Sequence, residues 1–119
     1  MSSGFLDSLS TESTKYDISI TAQFKRDYRL AKKRGLKMEA LAEVVTLLAN
    51  GEALPEKHRD HALSGDYEGY RECHIASDWL LIYCIEDDVL VLVLSRTGSH
   101  SDLFWLPAYA GVILGQPEY

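Results

Sequence analysis

Two apolar runs, WLLIYCI (Trp79–Ile85) and VLVLVL (Val89–Leu94), constrain this chain more than any other feature. Neither alternates between apolar and polar residues, so a strand built from either must be covered on both faces. Glu86-Asp87-Asp88 between them is short enough for a tight link, which predicts an antiparallel hairpin with strands at Trp79–Ile85 and Val89–Ser95. A third strand is expected over Gly69–His74 and a short one at Tyr16–Ile20, where YDISI alternates and is β-branched.

The remaining segments supply the cover. Thr21 is a plausible N-cap for AQFKRDYRLAKKR, in which Phe24, Tyr28 and Ala31 fall at helical spacing and Gly35 provides the stop. A second helix, LKMEALAEVVTLLAN, carries Met38, Leu41, Val45 and Leu48 as its apolar stripe and ends at Asn50-Gly51. Their tight junction predicts an antiparallel pair laid on one sheet face. That leaves the opposite face, and WLPAYAGVILG (Trp105–Gly115) is the segment expected to cover it or to bind a second copy. Ser99–Phe104 is expected to form a helical turn, with Asp102 suited to its N-terminal dipole.

At 119 residues the chain has the length of one domain. It divides into an N-terminus expected to be flexible (1–14), a folded domain (15–104) and an apolar extension (105–119). The N-terminus lacks the basic and apolar regions of a secretory signal, and no apolar run reaches membrane-spanning length. A cytoplasmic protein with no membrane association is expected. Cys73 and Cys84 both lie in apolar runs and read as buried thiols.

Net charge is −6, yet Lys15–Ala40 carries eight Lys or Arg against three acids. A basic face on an acidic body can dock a polyanion, because the local field counts for more than the total. A solvated helix face is the plainer reading of the same run.

The titratable residues cluster late. Glu52–Glu68 has no periodicity and holds Lys57, His58, Arg59 and His61, and a connection of that length in a small domain is more often functional than idle. Strand periodicity puts Tyr70, Glu72 and His74 on one face and Arg71 and Cys73 on the other. His74 and Asp78 flank a short turn, while Arg96 and His100 follow the last strand. Metal-free RNA cleavage needs a base for the ribose 2′-OH, an acid for the departing 5′-oxygen and a cation at the phosphate. Imidazole suits the first two roles and guanidinium the third. A zinc site from His, Asp and Cys is the competing use, but no C-x-x-C or H-E-x-x-H pair supports it.

Four ordered motifs carry a resemblance: DH-x-L-x-G at Asp60–Gly65, G-Y-R-x-x-H at Gly69–His74, D-W-x-L-I-Y at Asp78–Tyr83, and R-T-G-x-H-x-x-L-F at Arg96–Phe104. With AKKRG and the TLL-containing helix upstream, the chain resembles the YafQ branch of the RelE superfamily of bacterial toxins over Tyr16–Phe104. The resemblance implies an α+β fold: a short strand, two helices packed on one face of an antiparallel sheet of about four strands, and a short C-terminal helical turn. It implies a type II toxin, a ribosome-dependent endoribonuclease that cuts mRNA in the A site by 2′-OH attack and needs no cofactor or metal. A cognate antitoxin, of the ribbon-helix-helix, DinJ-like kind, would neutralise it.

Carried over residue by residue, the catalytic positions fall on His61, His74, Asp78 and His100, with His100 as the principal acid or base. Glu72, Trp79, Arg96 and Phe104 would contact substrate, Arg96 at the phosphate and Phe104 against a base; Lys57 and Arg59, from the aperiodic connection and not from the resemblance, are expected to contact it too. The chain departs from the family in its acidity and in its final fifteen residues, through which it could self-associate. Two alternatives share the fold: a ParE-like toxin that binds gyrase without catalysis, and an inactive paralogue that sequesters antitoxin.

Overall fold

The structure is a computed structural model that describes residues 14–104. The expected lid, Trp105–Gly115, and the expected flexible N-terminus, apart from Thr14, lie outside the described residues. A strand β1 (Asp17–Ile20) leads into helices α1 (Ala22–Lys33) and α2 (Met38–Ala49). Strands β2 (His61–Ala62), β3 (Arg71–Ala76), β4 (Trp79–Glu86) and β5 (Val91–Gly98) follow, then a short helix α3 (His100–Phe104). The strands form one sheet in the order β1-β5-β4-β3-β2. All neighbours are antiparallel except β1, which runs parallel to β5. The expected α+β fold is present with one strand more than the sequence suggested.

Local chemistry accounts for the helix ends. The Thr21 hydroxyl accepts the Phe24 amide at 2.9 Å, satisfying one donor of the first turn of α1. Gly35, at φ +77°, turns the chain out of α1 in a conformation that costs a β-carbon.

Two apolar clusters sandwich the sheet. On one face Phe24, Tyr28 and Ala31 of α1 and Leu41, Val44, Val45 and Leu48 of α2 pack on Cys73, Ile75, Leu81, Leu92 and Leu94. On the other, Leu80 and Ile82 lie beneath Leu63, Leu103 and Phe104, with Tyr67 and Tyr70 at the margin. The unbroken apolar runs therefore do mark a doubly covered sheet. The second cover comes from the loop before β3 and from α3.

The β4–β5 turn is longer than expected. Asp87–Leu90 form it, and Val89 and Leu90 are exposed instead of opening a strand. Tyr16 and Asp17 fix this turn: the Tyr16 hydroxyl donates to Asp87 at 2.8 Å and the Asp17 amide to the Leu90 carbonyl at 2.9 Å. Leu90 consequently sits at φ +55°, and β5 begins at Val91 opposite Asp17. No helix among the described residues is long and apolar enough to cross a membrane.

Candidate active site

Sheet register assembles the site. His74 pairs with Leu80, and Leu80 with Gly98, so one row across β3, β4 and β5 runs from His74 to the start of α3. The next row is Glu72, Ile82 and Arg96. His61 on β2 stands opposite Glu72, which makes it a diagonal neighbour of His74, a spacing of roughly 7–8 Å.

Across the first row, the His74 and His100 rings lie 6.1 Å apart at 66°. Asp78, in the β3–β4 turn, accepts from His100 twice: from Nδ1 at 2.9 Å and from the backbone amide at 3.1 Å. The amide contact, reinforced by the imidazole, holds the Asp78 carboxyl below its usual range. Burial, then the positive charge of Arg59 and the nearby His100 and His61, hold the His74 imidazole below its ordinary value, against an opposing pull from Asp78. His74 is consequently biased to its neutral form near pH 7.

His61 donates from Nδ1 to the Arg59 carbonyl at 2.7 Å, and its Nε2 lies 3.4 Å from Glu72 Oε1. Glu72 is fully buried behind it. This corrects the expectation that Glu72 touches substrate: the carboxylate backs His61. Trp79 is also corrected. It is 4% exposed in the helix-covered core, where Nε1 donates to Thr97 Oγ1 at 2.9 Å. The indole aims away from the histidines because Trp79 and Leu80 point to opposite faces of β4.

Arg96 begins on the histidine face and turns around the sheet edge, which β1 leaves open beyond Leu94. Its Nε and Nη2 both reach the Asp27 carboxylate of α1, each at 3.0 Å. The Thr97 amide donates to the same carboxylate at 3.1 Å. In this structure the guanidinium expected at the phosphate, still partly exposed, clamps α1 to β5. Phe104 is mostly buried, with its ring 5.8 Å from Tyr67 and 6.4 Å from His100, and it supports His100 from behind.

Lys57 and Arg59 remain exposed at the rim and line a cleft of about 350 Å³ beside His74. His58, left out of the expected site, donates from Nδ1 to the His74 carbonyl at 2.7 Å and ties the loop to β3. Asp60 was also missed. It accepts from the Tyr83 hydroxyl and from Arg71 Nε at 3.2 Å, fixing the residue between Arg59 and His61. Only the crowding of titratable groups in KHRDH hinted at this, since the partners are many residues away.

α3 is held by its own contacts. Ser99 and Asp102 exchange bonds, amide to carboxylate at 3.0 Å and amide to hydroxyl at 3.1 Å. Arg34 at the end of α1 reaches Asp102 at 2.8 Å. A β-carbon at Gly98 would stand 2.9 Å from that of Asp102, so the approach requires glycine. Among the described residues, no three His, Cys, Asp or Glu side chains are grouped to hold a metal ion.

A single α+β domain with a histidine pair at one end of its sheet, one of the two held by a carboxylate, is a small domain equipped for acid–base chemistry. The family model "Bacterial toxin of type II toxin-antitoxin system, YafQ" matches residues 16–105, and the chain belongs to this family. It is 42% identical over 89 residues to the mRNA interferase toxin YafQ of Escherichia coli K12, covering 74% of this chain and 95% of the relative. The crystal structure of YafQ from E. coli BL21(DE3) superposes with a TM-score of 0.70 at 40% identity, covering 75% of this chain and 98% of that one. YafQ in the E. coli DinJ–YafQ toxin–antitoxin complex gives 0.70 at 41% identity, with coverages of 76% and 98%.

Proposed function

We propose that this protein is an mRNA interferase: a toxin that cuts mRNA in the ribosomal A site and is silenced by a DinJ-like antitoxin. The observation that carries the reading is the His74–His100 pair, 6.1 Å apart with Asp78 on His100, in a chain 42% identical to a curated mRNA interferase.

His74, biased to its neutral form, accepts the proton of the ribose 2′-OH as that oxygen attacks phosphorus. The P–O5′ bond breaks, and His100 in its protonated form delivers a proton to the departing 5′-oxygen. The products are a 2′,3′-cyclic phosphate and a 5′-hydroxyl. Asp78 holds Nδ1–H of His100, which leaves Nε2 as the proton-exchanging atom; Nε2 is enclosed in this structure, so the reading requires RNA binding to uncover it. His61 adds positive charge at the phosphate when protonated, with Glu72 behind it. The basic residues Lys25, Arg26, Arg29, Lys32 and Lys33 are exposed on α1 and supply a salt-sensitive attraction to ribosomal RNA.

Primer extension on mRNA from a reconstituted translation reaction tests the proposal. Toxin-dependent cuts at codon spacing are expected with the wild-type chain and not with His74→Ala/His100→Ala. Intact mRNA with the wild-type protein would refute it.

A further inference from the structure

Strand β3 is only partly paired on its outer side. β2 meets it at Glu72 and Arg71, and the sheet ends there. Beyond that point the short 3-10 turn Glu56–His58 packs against β3 instead, tied by the His58–His74 carbonyl bond. Between the two lies the cleft of about 350 Å³, lined by Lys57, His58 and Arg59 from the loop and by His74 to Ser77 from the end of β3 and its turn. Arg59 adopts φ +47°, a left-handed conformation rare for an arginine. Asp60, clamped by Tyr83 and Arg71, and the bond from His61 to the Arg59 carbonyl hold it there. Two exposed cations thus border a concave site that is also lined by His74, which carries a proposed catalytic imidazole.

We propose that this cleft is a subsite for the backbone phosphate of single-stranded RNA next to the phosphate being cleaved. The inference rests on the nuclease reading for the strand's orientation, but the site itself is a property of the cleft. A guanidinium and an ammonium complement a phosphodiester, and the position beside His74 fits a chain that continues past the reacting ribose. The groups facing His74 are Arg59 and His61 from the loop and β2, Asp78 from the β3–β4 turn and His100 from α3, with His58 on its carbonyl. Arg59 bears on His74 electrostatically, so an anion in the cleft offsets that charge and raises the value at which His74 titrates.

The test titrates the full chain with a 2′-O-methyl RNA trinucleotide, which has no attacking hydroxyl, and separately with inorganic phosphate, following amide and imidazole resonances. Saturable shifts are expected at Lys57–Arg59 and Ala76–Ser77, together with an upward move in the His74 titration. Lys57→Ala/Arg59→Gln should weaken trinucleotide binding about tenfold or more and lower the log–log salt slope by about 0.7 per lost phosphate contact. Lys57→Ala alone, at an exposed position, should weaken it about threefold and keeps the test valid if the double variant unfolds. Shifts confined to the basic face of α1, or wild-type affinity in folded variants, overturn the proposal. If the variants bind like wild type while wild type cuts mRNA, the cleft assignment falls and the nuclease reading stands. If the trinucleotide fills the cleft but wild type cuts nothing, the nuclease reading falls and the RNA site stands.

Discussion

Asp78 and His100, 22 positions apart in sequence, are joined twice, through the imidazole Nδ1 and through the backbone amide. The carboxylate therefore fixes both the ring and the first residue of the helix that carries it. Asp78→Asn keeps the shape but replaces an anion with an amide that can present its nitrogen to Nδ1. The expected result is a fall in cleavage rate on the order of 10²-fold, with little change in ribosome affinity. Single-turnover cleavage and ribosome pelleting measure the two separately.

Asp27 and Arg96 form a bidentate pair between α1 and β5, and Asp27 is nearly buried. Asp27→Ala would leave the guanidinium and the Thr97 amide without their acceptor. A loss of about 3–5 kcal/mol is expected in urea unfolding. Asp27→Leu/Arg96→Met, which removes both charges, should recover most of that loss.

Asp102 predicts a pH dependence. Its contact with Arg34 holds its carboxyl down at about 2. The folded-state value lies below the unfolded one, so the contribution is complete above the unfolded value, about 3.9, and is lost as pH falls through the folded value. Wild type should exceed Asp102→Asn in urea midpoint above about pH 4, and the gap should close as pH approaches 2. A gap that does not depend on pH between 5 and 2 would contradict this.

The two thiols should differ in reactivity. Cys73 is fully buried and burial pushes its thiol far up, whereas Cys84 is partly exposed. A disulfide-exchange reagent added to the native protein should titrate one thiol, at Cys84, and both after unfolding. Rapid native modification of Cys73 would show that the core opens more readily than its packing implies.

What the sequence revealed follows from the range of each interaction. The cap at Thr21, the stop at Gly35 and the strand faces of Glu72, Cys73 and His74 depend on neighbours a few positions away, and periodicity exposes them. β2 has two residues and makes no periodic signal; it exists because β3 offers an edge. Val89 and Leu90 look like strand by composition, but the parallel pairing with β1 starts at Val91 and leaves them in the turn. The ion pair of Arg96 was not legible because its carboxylate partner lies 69 residues upstream. The histidines were legible as a group through their motifs. The burial of Trp79 and the role of Glu72 behind His61 emerged only with the register of β2, β3 and β4.

The pH profile of single-turnover mRNA cleavage on stalled ribosomes tests the central claim most directly. A neutral His74 acting as base predicts a rate that climbs with pH through a midpoint below that of an ordinary imidazole, and a limb that disappears in His74→Gln. A limb that persists unchanged in His74→Gln, or a wild-type profile with no inflection in the imidazole range, would contradict the account.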